Sequence, residues 1–249
     1  MMKRKNFLIL VTLCMLIIVA FIATNMLAEP SLSQGVNDND HDISVADQNL
    51  AGNQDQEAEG PPPPPEPEKE PFKVVIDPGH GGEDPGAEGA SGSYEKDFTL
   101  AVSLKVASLL EDVPDVKVYL TRDKDVFLSS ETRDRPNFAN KLEADLFISI
   151  HANTFADPTV SGTETFYYHD NSLGLANIIH RHVVAATGFH DRGVSQENFF
   201  VLRDTTMPAT LLEIGYLTNP ADEQTMLTEE FQQAVAEAIV DGIKEYLGL

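Results

Sequence analysis

Two histidines, His80 and His151, each follow a short apolar run, and two carboxylates, Glu95 and Glu213, stand where regular elements are expected to begin or end. His80 lies in Asp77-Pro78-Gly79-His80-Gly81-Gly82, among glycines that let other groups come close. His151 lies in Ser149-Ile150-His151-Ala152-Asn153. Two imidazoles and one carboxylate (Glu95) on neighbouring loops suit an open zinc site, because three protein ligands leave the fourth tetrahedral position to water. Zinc lowers the pKa of such a water to about 7 and polarises a carbonyl oxygen. Glu213 interrupts the apolar stretch Leu212-Glu213-Ile214-Gly215-Tyr216. A carboxylate is expensive to bury without a task, and here it can take a proton from water and return it to a leaving amine. Taken singly, a histidine after a strand is more often a packed residue than a ligand, and Glu95 is equally a helix-start charge. Only the joint pattern points to metal-assisted hydrolysis. The remaining histidines lack these placements. His41 falls in a linker, and His169, His180, His182 and His190 read as surface or structural residues.

Strands and helices must alternate to position these groups. Lys73 to Asp77 is a short β-branched run stopped by Pro78-Gly79 and predicts a buried strand. Phe98, Val102, Val106, Leu109 and Leu110 recur at helical spacing over Glu95 to Asp112. Further strands are predicted at 117–121, 146–150, 162–168, 199–202 and 210–214. Helices are predicted at 129–143 (kinked or started late by Pro136), at 173–187 before Gly188, and after a Thr228 cap. This alternation predicts an α/β domain with a mostly parallel, twisted sheet of about six strands and helices on both faces. In such sheets ligands bind beyond the carboxyl ends of the strands, where His80 and His151 fall.

The chain divides into three zones. Lys3, Arg4 and Lys5 precede an apolar run from Phe7 to about Ala23, which predicts a signal or uncleaved anchor over 1–27 with the rest of the chain outside the cytoplasm. Residues 28–72 are acidic with one lysine, Lys69, and end in a proline-rich stretch that includes Pro61 to Pro65. That composition predicts a disordered linker with an extended spacer at its end. Residues 73–249 form the catalytic domain. The formal net charge of −23 argues against a nucleic-acid partner, and the single cysteine, Cys14, excludes an intrachain disulfide.

Five segments, in order and in register, resemble the zinc-dependent N-acetylmuramoyl-L-alanine amidases of bacterial cell walls. They are Val75 to Gly82, the Glu95 segment, Ile148 to Asn153, Arg192 to Arg203, and Leu211 to Asn219. The resemblance implies one zinc per chain bound by His80, Glu95 and His151, with Glu213 as catalytic acid/base and Asn153 and Arg203 helping to orient substrate. It implies hydrolysis of the amide between N-acetylmuramic acid and L-alanine in peptidoglycan. A zinc peptidase acting on stem peptides is the alternative. Some family members carry a long insertion after the His151 segment that forms a blocking helix. Here 151–162 is a short loop, so an open cleft, no obligatory activator and a monomer are expected. The plan of membrane anchor plus catalytic domain resembles the spore-cortex amidases of endospore formers. The expected location is extracytoplasmic, anchored to the membrane or secreted to the wall.

Overall fold

The computed structural model describes residues 70–249. The expected anchor over 1–27 and nearly all of the linker over 28–72 lie outside the described residues. Among the described residues, no helix is long and apolar enough to cross a membrane.

Strand β1 (Phe72–Pro78) is followed by helix α1 (Glu95–Glu111), β2 (Val116–Leu120), α2 (Asp134–Leu142), β3 (Leu146–Asn153), β4 (Thr163–Tyr167) and α3 (Leu173–Thr187). Then come β5 (Asp191–Gln196), α4 (Phe200–Arg203), β6 (Ala209–Tyr216), α5 (Pro220–Met226) and α6 (Glu229–Leu247). The six strands form one sheet in the order β2-β1-β3-β6-β4-β5. Every neighbouring pair is parallel except β4 with β6.

Period-two alternation sends each strand's side chains to two different helical layers. On one face Val74, Ile76, Ile148, Ile150, Leu212 and Ile214 pack against α1, α3 and α6 through Phe98, Val102, Ile179, Val235 and Ile239. On the other face Val75, Phe147 and Leu211 meet a smaller layer with Ala139 of α2 and Val201 and Leu202 of α4. Toward the carboxyl ends of the strands polar residues continue the same face, Asp77 and Ser149 still buried and His151 and Glu213 half-buried and lining a cleft. Helix ends follow local chemistry. Gly188 takes a left-handed φ of 65° after α3, Thr228 Oγ1 caps α6 at Phe231 N, and Asn219 caps α5 ahead of Pro220.

The sheet differs from the sequence expectation at its edge. Phe199 to Leu202 is not a strand; Phe200–Arg203 is a helical turn whose Val201 and Leu202 close the smaller layer. The strand is Asp191–Gln196, an exposed edge with no buried residue. An edge strand needs no alternating apolar pattern, so this one carries no periodic signal, whereas a four-residue apolar run fits strand or helix equally.

Beneath the β1–α1 loop lies a buried ion pair. Asp77, fully buried, accepts from Arg135 Nη1 at 2.5 Å, Thr121 Oγ1 at 2.6 Å and Ser149 Oγ at 2.7 Å. Burial alone would push this carboxyl up. The Arg135 charge and the three side-chain hydrogen bonds more than offset it and hold Asp77 below the usual carboxylate range. Its contribution to stability is therefore complete above the ordinary carboxylate pKa of about 4 and is lost as pH falls through the depressed value. Asp77→Asn should lower the unfolding free energy by about 3–5 kcal/mol at neutral pH, because it strands the Arg135 charge in the interior. Urea denaturation reads this directly, and an unchanged midpoint would show that the backbone acceptors of Arg135 suffice.

Candidate metal centre and active-site cleft

The β1–α1 loop carries His80 in a left-handed conformation, φ 58°, which few non-glycine residues adopt. Two buried arginines hold it there through backbone oxygens. Arg135 donates to Pro78 O and His80 O, each at 2.6 Å. Arg122 donates to Pro78 O at 3.1 Å and Gly79 O at 2.8 Å, and Thr99 Oγ1 of α1 also donates to Gly79 O. Desolvation, with Arg135 nearby, pushes the Arg122 pKa down.

His151 extends from β3 and Glu95 from the first turn of α1. One ligand atom from each of His80, Glu95 and His151 lies within 4.8 Å of the other two, so the three can hold a metal ion. Glu95 Oε1 is 2.8 Å from His151 Nδ1, and its Oε2 is 3.1 Å from His80 Nε2. The backbone amides of Ala87 and Ala152 also donate to this carboxylate. Burial works to raise the Glu95 pKa, but the two imidazoles outweigh it and the group stays ionised. His80 Nδ1 faces Asp84 Oδ2 at 2.8 Å. A proton on Nδ1 given to that carboxylate leaves Nε2 as a free lone pair toward the cluster, the arrangement usual for metal-binding histidines. Burial disfavours a charged His80, yet Glu95 and Asp84 together lift its pKa above the ordinary value.

The donor set of two imidazole nitrogens and a carboxylate oxygen suits a zinc-like cation, and the backbone is shaped around it. A Cβ on Gly79 would collide with the His151 ring. One on Gly86, itself at φ +69°, would fall 2.5 Å from Glu95 Oε2 and 2.7 Å from His80 Cδ2. The two imidazoles meet edge to face, with centroids 4.9 Å apart.

Glu213 is the register partner of His151 across β3 and β6, so the two side chains leave the sheet side by side. Its Oε2 is shielded from solvent and has no hydrogen-bond partner. Burial first, then the nearby Glu95 and Glu164 carboxylates, push its pKa well above the usual carboxylate value. All four groups line one cleft of about 530 Å³. Phe127 and Leu128 form one wall, and Phe199, Phe200 and Val201 form another. Asn153 also lines the cleft. Arg203 does not. It pairs with Asp204 at 2.7 Å, donates to Asn198 Oδ1 at 3.0 Å, and lines a separate groove with His169 and Asp170.

Several site residues left little trace in the sequence. Asp84 and Arg135 sit in segments with no motif of their own, and Phe127 lies in an irregular loop. Arg135 reads in the sequence as one more charged residue of a polar helix, and only the fold shows that it is buried and which groups it meets. His180, expected to be structural, is 6% exposed and bridges Thr165 of β4 and Asp191 of β5.

Residues 74–245 match the family model described as N-acetylmuramoyl-L-alanine amidase. The probable cell wall amidase LytH of Staphylococcus aureus is 37% identical over 175 residues, which cover 70% of this chain and 57% of LytH. The catalytic domain of CwlV, an N-acetylmuramoyl-L-alanine amidase from Bacillus (Paenibacillus) polymyxa var. colistinus, is 48% identical and superposes with a TM-score of 0.69, covering 71% of this chain and 98% of that one. The CwlD amidase of Clostridioides difficile, solved in complex with the GerS lipoprotein, is 31% identical with a TM-score of 0.67, over 71% of this chain and 98% of that one. With the family's fold, its sequence pattern and a three-ligand cluster in one cleft, the chain belongs to the N-acetylmuramoyl-L-alanine amidase family of peptidoglycan hydrolases.

Proposed function

We propose that this protein is a zinc-dependent amidase that hydrolyses the bond between the lactyl group of N-acetylmuramic acid and L-alanine. The carrying observation is the placement of Glu213, half-buried and with its Oε2 shielded and unpartnered, in one cleft with the His80, Glu95 and His151 cluster. His80, Glu95 and His151 are the ligands of the zinc. When bound, zinc supplies Lewis-acid polarisation of the scissile carbonyl and makes a water acidic enough to attack near neutral pH. Glu213 takes the proton from the attacking water and delivers it to the departing alanine nitrogen. A carboxyl whose pKa is raised above the usual carboxylate value is suited to both transfers. Phe127, Leu128, Phe199 and Phe200, which line the cleft, offer apolar surface to the methyl groups of the lactyl and alanyl units. Asn153 sits among these groups and orients the substrate. Arg203, the last residue of α4, would meet a more distant part of the substrate along its separate groove.

The likeness to a cell wall amidase supports action outside the cytoplasm, with residues 1–27 as the membrane attachment and the segment from 28 up to the start of β1 at Phe72 as the spacer. That plan also supports a role in remodelling the spore cortex. CwlD was solved with a lipoprotein partner. In this chain only the short segment between β3 and β4 follows the His151 strand, which supports activity as a monomer without an activator.

Three outcomes test this reading. Purified full-length protein, digesting peptidoglycan alone, should release stem peptides with a new N-terminal alanine, and a chelator should abolish the release. Fragments cut within the stem peptide would instead indicate a peptidase. Glu213→Gln should keep about one zinc per chain by elemental analysis and lose about 10²–10⁴-fold in turnover; near-normal turnover would remove Glu213 from its role. Zinc needs a neutral His80, and the pKa of His80 is raised in the metal-free chain, so protons should compete with metal from an unusually high pH downward. Titration calorimetry should show zinc affinity weakening below neutrality, and His80→Ala should abolish tight binding at every pH.

A further inference from the structure

The carboxylate of Glu164 belongs neither to the three-ligand cluster nor to the proton-carrying role, yet it joins four strands. On β4 itself, it accepts from Arg192 Nε of β5 at 2.8 Å through Oε1. Its Oε2 accepts from Asn153 Nδ2 of β3 at 2.9 Å and from the Tyr216 hydroxyl of β6 at 3.3 Å. Arg192 reaches it across Gly162, where a Cβ would lie 2.7 Å from Arg192 Cγ and Cδ. The guanidinium carbon also lies 5.4 Å from the centroid of the Tyr216 ring.

Two features separate this arrangement from a structural staple. Glu164 is the register partner of Glu213 across antiparallel β4 and β6. Like charges placed directly opposite are destabilising, and a neutral side chain could hold Asn153 or Tyr216 without that penalty. The Asn153 carboxamide is also fixed at both ends, because its Oδ1 accepts from Thr154 N at 2.8 Å while its Nδ2 donates to Glu164. Those bonds settle which way the amide faces. They leave one Nδ2 hydrogen for a ligand in the cleft that Asn153 lines.

We propose that Glu164, braced by Arg192, is a positioning residue of the hydrolytic site, fixing the Asn153 carboxamide so that its remaining N–H donates to a carbonyl or hydroxyl oxygen of the bound glycopeptide. The inference rests on the amidase reading above. Glu164 touches no reacting atom and acts through Asn153. Its side chain is 21% exposed and that of Arg192 34%, so either can be exchanged without opening the core.

A double-mutant cycle on the zinc-loaded full-length chain tests the link, with a soluble glycan–stem-peptide fragment as substrate. Glu164→Gln replaces one of the two acceptor oxygens with an NH2 donor, so it cannot accept from Arg192 on one side and Asn153 on the other as the carboxylate does. It should lower kcat/KM about tenfold, chiefly through KM, which is what one charge-assisted hydrogen bond contributes. Asn153→Ala should do the same, and the double variant should be no worse than Asn153→Ala alone. Arg192→Gln, which only loosens the brace, should show a smaller loss in the same direction. Zinc content and Tm should stay close to those of the parent. Without substrate, the Asn153 side-chain amide resonances should shift in Glu164→Gln. Additive losses, unmoved Asn153 resonances, or a fall in Tm or zinc content that accounts for the lost activity would each overturn the proposal. If the parent releases no alanine-terminated peptide, the amidase reading fails instead, and the resonances still decide whether Glu164 positions Asn153.

Discussion

The buried pair of Asp77 and Arg135 is the contact on which the site depends. One guanidinium reaches the Asp77 carboxylate and the carbonyl oxygens of Pro78 and His80 together. It therefore links the end of the first strand to the loop that carries His80. A left-handed backbone at a histidine is unfavourable by itself, and it persists because Arg135, Arg122 and Thr99 occupy the carbonyls on either side. Charge buried in this way adds little net stability. What it provides is a loop with one geometry, and metal ligands need that more than they need a stable loop.

The metal-free cluster is held together by the atoms that would bind metal. Glu95 accepts from both imidazoles and from two backbone amides, so its carboxylate stays ionised despite burial. The same carboxylate, with Asp84, raises the pKa of His80, which sets protons against metal at that ring. Glu213 is in the opposite condition. Its neighbours are carboxylates, one of its oxygens has no partner, and its pKa rises. Two acids in one cleft are thus driven apart by their surroundings, one toward the anion and the other toward the protonated form. The unequal helical layers make this possible. The thick layer of α1, α3 and α6 supplies the core, while the thin layer of α2 and α4 leaves the strand ends open as a cleft.

Much of this was legible in the chain because the signals were local. Val74 to Asp77 and Leu146 to Ile150 are apolar runs cut off by glycine or polar residues, so strand ends, and hence His80 and His151, could be placed. Gly188 and Thr228 marked helix limits by their own backbone and side-chain chemistry. The failure at Phe199 to Leu202 has the same origin. A four-residue apolar run carries no period, and tertiary packing of Val201 and Leu202 made it a helical turn. The polar edge strand Asp191–Gln196 buries nothing, so it left no pattern to read.

What the sequence determined by itself was the order of the elements outside the 191–203 edge and the chemical types delivered to the strand ends, because periodicity and turn residues act over a few neighbours. Only the tertiary structure decided which of those groups meet. Glu95 and His151 are 56 residues apart and 2.8 Å apart in space, and Arg135 is 58 residues from the Asp77 it neutralises. Glu164 faces Glu213 because β4 runs antiparallel to β6 in an otherwise parallel sheet, and no local pattern carries that direction. Contacts of this kind depend on strand order and register, which follow from burying both faces of the sheet at once.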